Sequence, residues 1–140
     1  MSETLHLASA SSPVLGDDAF ICTWREGWQN AAWVHVTGKL DPASGPRLER
    51  TLRRAEHGAR VIVLDLRELT LIDSSGVQII VFADIRARRT ARRLLVVRGP
   101  AQVDRVFAVT RAAEILDIGD LDVTTPAQLD RQPAQQRQAA

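Results

Sequence analysis

Leu69-Thr-Leu-Ile-Asp-Ser-Ser-Gly-Val-Gln-Ile-Ile-Val-Phe82 runs from a strand through a short loop into an apolar helix. Asp73 or Ser74 suits the N-cap, because a short side-chain oxygen accepts a bond from one of the first free N–H groups of a helix. Gly76 keeps the first turn uncluttered. The hydroxyls of Ser74 and Ser75 then sit at the positive end of the helix, where amides and dipole together favour an added negative charge. A phosphate there would be tolerated locally while meeting Asp73, so it would alter the surface without unfolding it. Asp, Ser and Gly before an apolar run are also ordinary helix-start residues, and the stretch alone leaves that plainer reading open.

Downstream, Ser75 to about Thr90 reads as a helix, with Val77, Ile79, Ile80, Val81, Phe82, Ala83 and Ile85 apolar almost all round. Such a helix needs cover beyond one sheet face. Leu94-Leu-Val-Val97 gives a central strand. Gly99-Pro100 opens a helix whose apolar side is Val103, Val106, Phe107 and Val109, and Ile115, Leu116 and Ile118 pack at its end. Leu121-Asp-Val-Thr124 fits a short edge strand and Pro126-Ala-Gln-Leu129 the start of a last helix.

Upstream, Val61-Ile-Val-Leu-Asp-Leu66 is the nearly continuous β-branched run of a strand covered on both faces. Phe20-Ile-Cys-Thr-Trp24 alternates, with Phe20, Cys22 and Trp24 on one face, and Glu26-Gly27 begins a turn. Ala32-Trp-Val-His-Val-Thr37 alternates too, Ala32, Val34 and Val36 against Trp33, His35 and Thr37. Gly38-Lys-Leu-Asp-Pro-Ala-Ser44 leaves the sheet. A helix follows, starting between Asp41 and Pro46 and ending at Gly58, with Leu48, Leu52 and Ala55 recurring at helical spacing. Strands alternating with helices favour an α/β or mixed sheet.

At 140 residues the chain is sized for one domain. Its limits are set by composition: residues 1–17, rich in Ser, Ala and Thr, read as a flexible extension holding a solvated His6, residues 18–130 as the domain, and 131–140 as a disordered tail of Gln, Arg and Ala. With 18 basic and 17 acidic residues, the formal charge of +1 gives no global pull toward nucleic acid or membrane. Lys39 is the only lysine, so arginine carries the positive charge. No window approaches a membrane span and no signal peptide is evident, which with the single Cys22 predicts a cytoplasmic protein.

Enzymatic readings find little support. Ser74, Ser75, His35 and His57 lack a Gly-x-Ser-x-Gly elbow or a carboxylate seen to orient a histidine. No glycine-rich phosphate loop is present, and Cys22 in a strand fills the core rather than a metal site. The basic run Arg86, Arg88, Arg89, Arg92 and Arg93 complements a helix C-terminus, with an acidic partner as the alternative. Trp24 and Trp33 read as strand residues, Trp28 as a turn residue open to an interface.

Val61-Ile-Val-Leu-Asp-Leu66, Leu71-Ile-Asp-Ser-Ser-Gly-Val77 and Leu94-Leu-Val-Val-Arg98, with Gly38-Lys-Leu-Asp41 upstream, resemble the STAS domain of bacterial anti-sigma factor antagonists over roughly residues 20–129. The resemblance implies an α/β STAS fold, a mixed sheet of four to five strands with helices packed mainly on one face. It implies Ser74 as phosphoacceptor, with Ser75 as fallback, and a partner-binding surface of Asp41, Asp73, Ser74, Ser75 and Gly76. The implied partners are an anti-sigma factor that is also a serine kinase, using ATP and Mg²⁺, and a serine phosphatase. The chain itself would be no enzyme, need no cofactor or metal, and touch no nucleic acid directly. Lys39 departs from the acidic residue frequent there, and Arg111 from a glycine. The alternative is a STAS scaffold or assembly module without a phosphorylation switch; the oligomeric state is open in both.

Overall fold

Alternation of apolar residues makes the first half of the sheet. The computed structural model describes residues 19–27 and 30–120. Within them β1 (Ile21–Glu26), β2 (Ala31–Leu40), α1 (Gly45–Glu56), β3 (Val61–Ile72), α2 (Ser74–Arg89), β4 (Arg93–Val97), α3 (Ala101–Val109) and β5 (Ile118–Gly119) follow one another, with a 3₁₀ turn at Ala112–Glu114 before β5. The strands form one five-stranded sheet in the order β1-β2-β3-β4-β5. β1 lies antiparallel to β2, and all later pairs are parallel. The sheet is mixed, as expected.

Ala32, Val34 and Val36 of β2 and Ile62, Leu64 and Leu66 of β3 share one buried core with Leu48 and Leu52 of α1, Val77 and Ile80 of α2, and Val103 and Phe107 of α3. The helices of the described residues therefore lie on one face. The opposite face carries a small separate cluster of Trp33, Val63 and Val97, flanked by Val61. Val61–Leu66 is covered on both faces, as expected: Ile62, Leu64 and Leu66 lie under the helices, and Val63 and Asp65 are buried on the other side.

Two strands run longer than expected. β2 does not leave the sheet at Gly38: Gly38, Lys39 and Leu40 stay paired with Leu69, Leu71 and Ile72. Gly38 adopts φ 89° beside a shift in register, a conformation that costs glycine little. β3 likewise runs on to Ile72. α1 begins at Gly45, within the expected span, with Pro46 in its first turn, and Asp41 opens the turn that leads into it.

On α2 the apolar residues expected to be covered divide. Val77, Ile80, Ala83 and Ala87 are buried, but Phe82 and Ile85 remain 52% and 38% exposed. Val109 and Ile115, expected to pack, are exposed as well. The expected strand at Leu121–Thr124, the helix from Pro126, the segments 1–17 and 131–140, and Trp28 lie outside the described residues. Among the described residues no helix is long and apolar enough to cross a membrane.

Candidate functional site

Parallel strands bring their C-terminal ends, and the loops that follow them, to one edge of the sheet. Leu40 of β2 pairs with Ile72 of β3, and the Asp73 amide donates to the Leu40 carbonyl at 3.2 Å. Asp41 and Asp73 therefore follow neighbouring strand ends, and the loop before α1 lies beside the start of α2.

Asp73 is the N-cap of α2. Its Oδ1 accepts from the Gly76 amide at 3.0 Å and from Ser75 Oγ at 2.6 Å. The two serines are thereby distinguished. Ser75 is half-buried with its hydroxyl committed to Asp73, whereas Ser74 is exposed and its hydroxyl makes no hydrogen bond among the described residues. The Ser74 and Ser75 amides are also without partners there, as the first amides of a helix are unless something caps them. A small side chain is required at Gly76, where an added Cβ would come within 2.8 Å of the Leu40 side chain.

Asp41 is fixed by its own turn. Its Oδ1 accepts from the Ala43 and Ser44 amides at 3.0 and 3.2 Å, and Ser44 Oγ donates to the Lys39 carbonyl at 2.9 Å. The Ser44 amide above all, with the Ser44 hydroxyl and Ala43 amide, holds the Asp41 carboxyl below its ordinary range. All five residues singled out from the sequence, Asp41, Asp73, Ser74, Ser75 and Gly76, thus belong to two adjoining turns. Among the described residues no histidine bonds Ser74 Oγ: His57 Nδ1 lies 3.0 Å from the Arg53 carbonyl oxygen, and His35 lies in a groove on the opposite side of the sheet.

The basic run is largely occupied with structure. Arg86 grips both Glu56 oxygens across to α1, Arg92 donates to the Ala59 carbonyl, and Arg93 pairs with Asp117. Arg88 lies 2.9 Å from the buried Asp84, in a geometry that is an ion pair without being a hydrogen bond, and donates to the Ile115 carbonyl. Arg89 has no acidic partner among the described residues.

A second polar cluster was not foreseen. On the face opposite the described helices, a groove of about 480 Å³ is lined by Thr23, Trp24, Arg25, Trp33, His35, Asp65, Arg67 and Glu68. Asp65 is buried and takes Arg67 Nε and Nη2 at 2.9 and 2.8 Å. His35 Nδ1 stands 3.6 Å from Asp65 Oδ2, and Nε2 stands 3.3 Å from Glu68 Oε1. Burial alone would raise the Asp65 pKa, but the nearby His35 ring and the bonds from Arg67 outweigh it and hold the carboxyl well below the carboxylate range. Asp65, first by the approach of its carboxylate to the ring, and Glu68 raise the His35 pKa against the opposing effect of burial. A carboxylate orients this histidine after all.

The raised pKa has a sign. Stabilisation by protonated His35 is full below its unfolded pKa near 6.5 and is lost as pH rises through the higher folded value. Because the ring is a third exposed, about 0.5 kcal/mol or less is expected. Denaturant midpoints between about pH 5 and about pH 9 should fall more steeply for the wild type than for His35→Gln; parallel curves would remove His35 from the pH response.

An open mixed sheet with its helices on one face and an Asp-Ser-Ser-Gly corner between strand and helix defines a STAS-type module. The family described as Mlab, STAS domain, matches residues 25–117, well over half of the chain, and the chain belongs to that STAS family. Its fold is similar to that of the anti-sigma factor antagonist SpoIIAA in its unphosphorylated form, with a TM-score of 0.65 at 19% identity over 81% of this chain and 97% of that one. An anti-sigma factor antagonist from Mycobacterium paratuberculosis gives 0.64 at 16% identity over 81% and 96%. The Bacillus cell fate determinant SpoIIAA in its phosphorylated form gives 0.62 at 17% identity over 79% and 98%. At such identities the likeness is one of fold. No curated protein matches the chain.

Proposed function

We propose that this chain is a cytoplasmic anti-sigma factor antagonist switched at Ser74. Unphosphorylated, it docks the surface of Asp41, Asp73, Ser74, Ser75 and Gly76 on an anti-sigma factor that is also a serine kinase, and so frees a sigma factor. The kinase moves the γ-phosphoryl group of ATP to Ser74 Oγ: the bond to the ADP leaving group breaks, the Oγ–P bond forms, and the hydroxyl proton passes to a base of the kinase. A serine phosphatase restores the hydroxyl. The chain is substrate and switch, not catalyst.

The observation that carries this reading is the contrast between the two serines. Ser74 offers an exposed, uncommitted hydroxyl beside free helix amides, while Ser75 Oγ is held 2.6 Å from Asp73. A dianion at Ser74 is supported locally by the helix N-terminus and opposes acidic or apolar groups of a docked partner.

The test is capture from extract of the native host on wild type, Ser74→Ala and Ser74→Asp, with phosphate mapped by mass spectrometry. Recovery of a serine kinase by the first two and at least about tenfold less by Ser74→Asp is expected, with phosphate on Ser74 alone. Phosphate on Ser75, or equal recovery by all three, contradicts the switch as drawn. Equal recovery without any phosphate would establish the second reading, a constitutive STAS assembly module, with which membership of a STAS family is equally compatible.

A further inference from the structure

The solvent side of α2 is ordered along its length. Ser74, Gln78, Phe82, Ile85 and Arg89 are all exposed, and at 3.6 residues per turn they fall within about 80° of the helix circumference, a single stripe. Phe82 and Ile85 form its apolar middle. The charges beside that middle are already paired, Arg86 with Glu56 and Arg88 with Asp84. Charge without an ion-pair partner among the described residues is left at the two ends. Arg89 stands at one without an acidic partner among the described residues; at the other, both hydrogen bonds to the Asp73 carboxylate go to Oδ1 and Oδ2 receives none among those residues.

Phe82 sits near the midpoint of this stripe, about 12 Å along the axis from Ser74 and about 10 Å from Arg89. A two-fold axis through it would stack Phe82 on its counterpart and lay each Arg89 over the Asp73–Ser74 end of the other helix, with the helix dipoles opposed. An acidic partner would be repelled at Asp73 and a basic one at Arg89. A surface with an apolar centre and opposite charge at opposite ends fits, and this face is itself such a surface. We propose that two copies of the chain associate weakly and antiparallel through the exposed face of α2. The association rests on this face alone and not on the switch at Ser74; it would cover Ser74, so that self-association and kinase docking compete.

Sedimentation equilibrium of the full chain between about 10 µM and about 1 mM tests this, the range suited to a small, transient interface. The mass is expected to rise from 15.4 kDa toward twice that value. Phe82→Glu should remain monomeric; its side chain is exposed, and an unchanged circular dichroism melt confirms the fold. Arg89→Asp and Ser74→Arg should each weaken association by about tenfold, and their combination should restore it, because the ends then attract again. Wild type that stays monomeric throughout overturns the proposal and leaves the face to a different protein. A dimer that survives Phe82→Glu, or charge variants that fail to rescue one another, overturns it equally.

Discussion

Gly38→Ala should destabilise the protein by about 3 kcal/mol, read as a lower urea midpoint at unchanged slope. Two costs add. The position has φ 89°, where an L side chain carries a penalty of about 1 kcal/mol or more. An added Cβ would also come within 2.0 Å of the Ala19 carbonyl oxygen and 2.6 Å of its carbon, main-chain atoms with no rotamer to escape into. Moving Ala19 displaces Phe20, which is buried in the core and whose carbonyl accepts a 2.6 Å bond from Arg47 of α1. The effect reaches the site as well, since the Gly38 carbonyl accepts from Thr70 Oγ1 and ties together the strand ends that present Asp41 and Asp73. A loss under about 0.5 kcal/mol would show that the Ala19 main chain yields freely.

How much of this was legible in the sequence depends on what sets each feature. The alternation in Ala32–Thr37 and the helical spacing of Leu48, Leu52 and Ala55 are local patterns, and they assign the buried faces correctly. The Asp-Ser-Ser-Gly corner is legible for the same reason: N-cap chemistry acts over three residues. Which side chain caps, and hence which serine is left free, is a matter of rotamer and was open between Asp73 and Ser74. The polar groove opposite the described helices is hidden by register. In β3 one residue more than in β2 separates the pairs His35–Asp65 and Thr37–Glu68. This bulge turns Asp65, Arg67 and Glu68 toward His35 together, while Leu66 and Leu69 both reach the core. The only trace in the sequence is apolar spacing that passes from two residues, Leu64 to Leu66, to three, Leu66 to Leu69. Exposure of Phe82 and Ile85 is likewise invisible to periodicity, because an all-round apolar helix reads the same whether its outer side meets protein or water.

The cluster made by that bulge carries the second large effect. Asp65→Ala should cost about 3 kcal/mol, the low end for breaking a buried ion pair, because Arg67 and His35 each retain about a third of their surface in water and can be rehydrated. Its pH dependence separates this loss from a simple packing defect. A carboxyl held below its unfolded pKa contributes stability that is full above about pH 3.9 and fades as pH falls through its lower folded value. Wild-type stability should therefore drop across the acid range while the Asp65→Ala difference narrows. The histidine supplies an independent readout: with Asp65 gone, the charge contact that most raises the His35 pKa is lost, and its titration followed by NMR should move down toward 6.5, leaving only the pull of Glu68. An unmoved His35 titration with a full stability loss would mean that Asp65 acts through Arg67 alone. A moved titration with little stability loss would mean that the bulge, not the ion pair, holds this edge of β3 in place.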